Sequence, residues 1–124
     1  MSDNVYLGNP NLKKANTQIQ FSQENILEFV KCKEDPVYFA RKYIQIVSLD
    51  KGLVPFRLYD FQEKLVRNFH ESRFNICKMP RQTGKSTTVV SYLLHYAVFN
   101  DNVNIAILAN KASTARDLLG RLQL

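Results

Sequence analysis

Gly84-Lys85-Ser86 sets a flexible backbone position, an ammonium and a hydroxyl in succession, behind the residues Met79-Pro80-Arg81-Gln82-Thr83. Those groups hold a polyphosphate. Backbone N–H groups of such a loop and of the helix that follows face an anion, because they have no partner inside the helix. Lys85 would reach the β- and γ-phosphates, and the Ser86 hydroxyl would hold Mg²⁺. The nucleotide-facing stretch is then Arg81, Gln82, Thr83, Gly84, Lys85, Ser86 and Thr87, with ATP and Mg²⁺ as the expected ligands.

A lone Gly-Lys-Ser arises by chance, so the flanking elements must supply the context. Upstream, Phe74-Asn75-Ile76-Cys77-Lys78 predicts a short buried strand. Downstream, Val89, Val90, Leu93, Leu94, Ala97 and Val98 recur at helical spacing over Thr87 to Val98. The motif departs from G-x-x-x-x-G-K-[ST] at its first position, where this chain has Met79. Pro80 biases Met79 towards extended geometry, so the strand is expected to run into the loop without a glycine bend.

Beyond the helix, Asn100-Asp101-Asn102 reads as a turn and Val103 to Ala109 as a second apolar strand. From Phe74 to Ala109 the expectation is therefore one βαβ unit with parallel strands and a right-handed crossover. Ser113 is placed to cap a last helix with Leu118, Leu119 and Leu122 inward.

Before residue 58 the pattern is different. Residues 1–20 are polar and read as an extended arm. Ser22 can cap a helix whose apolar side is Ile26, Leu27 and Val30. Asp35-Pro36 restarts a helix with the face Val37, Ala40, Tyr43 and Ile44. Asp50-Lys51-Gly52 separates two apolar runs as a hairpin or tight loop would. Leu58, Phe61, Leu65 and Phe69 then give an amphipathic helix to about His70. The chain divides into the arm (1–20), a small helical, lid-like subdomain (21–57) and the opening of a nucleotide-binding fold (58–124).

The 124 residues carry a formal net charge of +6 and 45% hydrophobic residues. This composition is that of a globular protein, with a basic excess that favours contact with polyanions such as nucleic acid. The basic residues are scattered, so charge alone argues weakly for DNA. Cys32 and Cys77 lack metal-like spacing, and Cys77, in its expected strand, reads as a small core residue. Nothing resembles a signal peptide or a membrane span, which predicts an intracellular location. His70 and His95 have no partner pattern, and His95 reads as structural.

Leu7-Gly8-Asn9-Pro10-Asn11-Leu12-Lys13-Lys14-Ala15-Asn16, Val37-Tyr38-Phe39-Ala40, Leu58-Tyr59-Asp60-Phe61-Gln62 and Arg81-Gln82-Thr83-Gly84-Lys85-Ser86 together resemble the large terminase subunit of T-even-type tailed phages. That family's phosphate loop commonly reads S-R-Q-x-G-K-T, without the first glycine, although Pro80 here replaces the usual serine. The resemblance spans about Tyr6 to Leu124. It implies a P-loop NTPase of the ASCE/RecA-like kind, here as the βαβ start of a parallel sheet preceded by a small, mainly helical subdomain. It also implies a motor that packages double-stranded DNA into proheads at the expense of ATP. Relatives form an oligomeric ring on the portal protein, work with the small terminase subunit in the host cytoplasm, and cut concatemeric DNA. By matching position, Lys85 and Ser86 bind phosphate and metal, Arg81 senses the γ-phosphate in cis, and Gln62 recognises adenine, whose edge its amide can complement as donor and acceptor.

Hydrolysis in that family needs an apolar strand ending in Asp, followed by a Glu. After Lys85 the acidic residues are Asp101 and Asp117, and the last glutamate is Glu71. The chain therefore reads as an N-terminal ATP-binding piece without turnover of its own. The alternatives are a fragment of a helicase-like DNA-translocating ATPase and a truncated, non-catalytic interaction module.

Overall fold

The computed structural model describes residues 5–122. Residues 1–4 of the expected arm lie outside the described residues. The remainder of the arm opens with a hairpin of β1 (Val5–Tyr6) and β2 (Asn9–Lys13), antiparallel across a turn with Leu7 and Gly8 in left-handed geometry.

Helix α1 (Gln23–Glu34) begins where Ser22 accepts the Asn25 N–H at 3.2 Å. Helix α2 (Pro36–Tyr43) follows with almost no connection. Asp35 closes α1 and caps α2, its carboxylate accepting from Val37 and Tyr38 N–H at 3.0 and 3.2 Å. Proline at the first helical position costs nothing there, because its missing N–H would have been unsatisfied. The expected face of α2 is buried at Val37, Ala40 and Ile44, whereas Tyr43 is exposed. The expected apolar side of α1 is not the buried one. Ile26, Leu27 and Val30 are exposed, and Cys32 is the residue of α1 that enters the core.

A second hairpin pairs β3 (Gln45–Ser48) with β4 (Gly52–Pro55), antiparallel and in register from Gln45↔Pro55 to Ser48↔Gly52. Gly52 supplies the left-handed φ of 69° that closes the turn. Helix α3 (Asp60–Glu71), helix α4 (Lys85–Phe99) and helix α5 (Ala112–Leu122) complete the chain. Ser113 lies inside α5 and does not cap it.

The core lies where α2, α3, α4 and β4 meet. Ala40, Ile44 and Phe56 form its centre, with Phe39, Ile46, Leu58 and Leu94 packed around them. Phe39, His95 and Phe99 extend it as a ring cluster with centroids 4.8 to 5.4 Å apart. On the outside, α1 and α2 are tied through one carboxylate. Glu28 accepts from Tyr38 Oη at 2.9 Å and Tyr43 Oη at 2.8 Å, and pairs with Lys42.

This architecture corrects the expected α/β P-loop NTPase with a βαβ opening. Five helices dominate, and among the described residues the sheets are two antiparallel hairpins, with no parallel pair. Residues 74–78 and 103–109, read above as parallel strands, form no regular secondary structure and join no sheet. Ile76 is fully exposed, Phe74 and Leu108 nearly so, and Cys77 is exposed rather than buried. Apolar composition selects an extended backbone, but a strand exists only through hydrogen bonds to a neighbour. Both hairpins find that neighbour across a short turn. Residues 74–78 and 103–109 are separated by α4 and form no ladder with each other.

Candidate functional site

The loop between residues 79 and 84 is held at three points. Thr83 Oγ1 donates to Pro80 O at 3.0 Å, folding the loop on itself. Lys85 Nζ returns across it and donates to Met79 O at 3.2 Å. Gly84, the residue before α4, has φ 74°, a left-handed geometry that a side chain would strain. Gln82 shares that geometry with φ 60°.

Behind the loop stands Gln62, a residue of the first turn of α3 and only 3% exposed. Its Oε1 accepts the Tyr59 N–H at 2.9 Å, satisfying an otherwise unpaired donor at the start of α3. Its Nε2 makes a long contact of 3.5 Å to Gly84 O. A Cβ at position 84 would fall 2.6 Å from that nitrogen, so a side chain there would displace the Gln62 amide. The same carbonyl accepts Thr88 Oγ1 at 2.8 Å and Thr88 N–H at 3.0 Å.

The Thr88 bond is the first i to i−4 bond of α4. The N–H groups of Lys85, Ser86 and Thr87 precede it and have no acceptor within the helix. The helix dipole adds partial positive charge at the same end. Among the described residues neither Arg81 nor Lys85 enters an ion pair, while Glu28, Asp35 and Glu63 all pair with cations of α2 or α3. Free donors and uncompensated cations at one helix start make a site that accepts an anion.

The residues singled out from sequence fall into three groups. Gln62, Thr83, Gly84 and Lys85 are brought together in the loop's framework. Arg81, Gln82 and Ser86 lie exposed at its surface. Thr87 turns away and lines a cavity of about 550 Å³ between α4, the β3–β4 hairpin and Arg121. Ser86 is the hydroxyl left for a divalent ion. Among the described residues no cluster of His, Cys, Asp or Glu could hold a metal by itself. A Mg²⁺ here would have to arrive with the phosphate oxygens that complete its coordination.

One contributor escaped the sequence reading. Thr88 is fully buried, and its hydroxyl braces the Gly84 carbonyl. A threonine one turn into a helix is the only signal, and it is a weak one. Gln62, which the resemblance implies faces adenine, has its Oε1 engaged by Tyr59 N–H and its Nε2 at 3.5 Å from Gly84 O.

No protein-family model matches the chain. Among the described residues no helix is long and apolar enough to cross a membrane.

Proposed function

We propose that the loop at Met79–Thr87 binds the phosphates of ATP with Mg²⁺, and that the chain is the ATP-binding front part of a viral terminase large subunit that powers packaging of double-stranded DNA. The observation that carries the phosphate reading is the pairing of left-handed Gly84 with Lys85. The glycine starts α4 with its first amides outside the helix's own bonding, and among the described residues the ammonium beside it has no carboxylate to neutralise it.

In this reading Lys85 exchanges the Met79 carbonyl for a phosphate oxygen, a stronger acceptor for a cation. Arg81, exposed on the loop, is free to meet the γ-phosphate. Ser86 contributes its hydroxyl to the ion that accompanies the phosphates. Gln62 positions the loop from behind. The terminase assignment, with its portal and small-subunit partners, rests on the sequence resemblance.

Isothermal titration of ATP·Mg²⁺ into wild type and Lys85→Ala tests the site. Removing the ammonium deletes a charge-assisted contact of about 1.5–3 kcal/mol, so affinity should fall at least about tenfold. Equal affinities would remove the phosphate-loop reading.

A further inference from the structure

His95, in the third turn of α4, is 3% exposed and sits in a cage of rings. Phe39 and Phe99 pack against it at centroid distances of 5.4 and 4.8 Å, Tyr92 at 6.1 Å and His70 at 5.9 Å. Its Nε2 lies 2.8 Å from the carbonyl oxygen of Cys32, near the end of α1. A carbonyl only accepts, so Nε2 carries the hydrogen and the neutral ring leaves Nδ1 bare. That Nδ1 is buried without a partner among the described residues.

We propose that His95 is an acid-sensitive latch that releases α1 from α4 when its imidazole takes up a proton. The added proton has to sit on Nδ1, which has no hydrogen-bond partner among the described residues. Burying a new charged donor unpaired is costly, and the ring can hydrate it only by leaving the cage. Leaving ends the bond to Cys32 O. Besides that bond, the Phe29–Phe99 contact at 5.1 Å joins the two helices. The imidazole thus supplies a hydrogen bond that ties α1 to α4.

The groups around the ring bear on its charge in both directions. From α3, His70 opposes a second positive charge. From α1, the Cys32 and Lys33 backbone favours the protonated ring, and so does Asp35 at the start of α2. Asp35, however, is already committed to Val37 and Tyr38 N–H and lies 3.9 Å from Arg67. Tyr92, Phe39 and Phe99 bring no acceptor for Nδ1. Burial dominates and lowers the imidazole below its ordinary value of 6.5. The folded state thus binds fewer protons than the unfolded one, and the latch weakens as pH falls below 6.5.

The test follows backbone hydrogen exchange of the α1 amides in the 124-residue chain, corrected for intrinsic rates, from about pH 7.5 down to about pH 5. Side-chain NMR follows the His95 ring in the same samples. Wild type should lose α1 protection with a midpoint below 6.5 that coincides with His95 titration. His95→Gln, whose amide can still donate to Cys32 O without titrating, should keep its protection across the range, and His70→Gln should still lose it, with the midpoint moved up because the opposing charge is gone. The proposal is overturned if His95→Gln loses protection as wild type does. Titration of His95 in wild type at or above 6.5, or α1 protection that ignores it, overturns the proposal without recourse to any variant.

Discussion

Gln62 and Gly84 meet across 22 residues so closely that the carboxamide nitrogen of one occupies the space a side chain would need on the other. The contact joins the first turn of α3 to the residue before α4. Gly84 is required on two counts, since its φ of 74° is also left-handed.

Gly84→Ala should therefore be among the more destabilising changes in the chain. The left-handed backbone alone costs about 1–2 kcal/mol for a residue with a Cβ, and the clash with Gln62 adds to it. Urea unfolding should show a lower midpoint, and adding Gln62→Ala should recover part of the loss. Strict additivity of the two changes would mean the side chains do not collide.

Gln62→Ala by itself distinguishes positioning from base recognition. If the amide only braces the loop, affinities for ATP and GTP should fall by the same factor. A preference for ATP that narrows in the variant would instead restore the adenine contact implied by the resemblance, with the amide leaving Tyr59 and Gly84.

Thr88→Val keeps shape and burial but deletes the hydroxyl that bonds to the Gly84 carbonyl. That carbonyl retains the Thr88 N–H, so the cost should be that of one ordinary hydrogen bond, about 0.5–1.5 kcal/mol. Unfolding free energies equal within error would show that Thr88 braces nothing.

Glu28 makes stability acid-sensitive in a second window. Lys42, then Tyr43 and Tyr38, donate to its carboxylate and lower it from 4.5 to about 2. The unfolded chain binds more protons in that interval, so this contribution is complete above 4.5 and disappears as pH falls towards 2. Melting temperature should drop more steeply in wild type than in Glu28→Gln over this range. Parallel curves would contradict the assignment.

The two thiols should separate in reactivity. Cys77 is exposed and Cys32 is buried, with burial also raising the Cys32 thiol above its ordinary value. A thiol reagent should label Cys77 rapidly in the native chain and Cys32 only on unfolding. Protection of Cys77 would mean that residues 74–78 are covered.

What the residues determined alone was local. Ser22, Asp35-Pro36 and Gly52 act on neighbours within a few positions, so α1, α2 and the β3–β4 turn were legible from capping and turn chemistry. Burial was legible for α2, where one face meets the core, but not for α1, where Cys32 and not Ile26, Leu27 or Val30 is covered. Only the tertiary structure decided which distant segments meet. Residues 74–78 and 103–109 have strand composition without a strand partner, because pairing requires a second backbone that nothing in their own residues supplies. Gln62 meets Gly84, and His95 meets Cys32, through helices packing at angles that no single segment encodes.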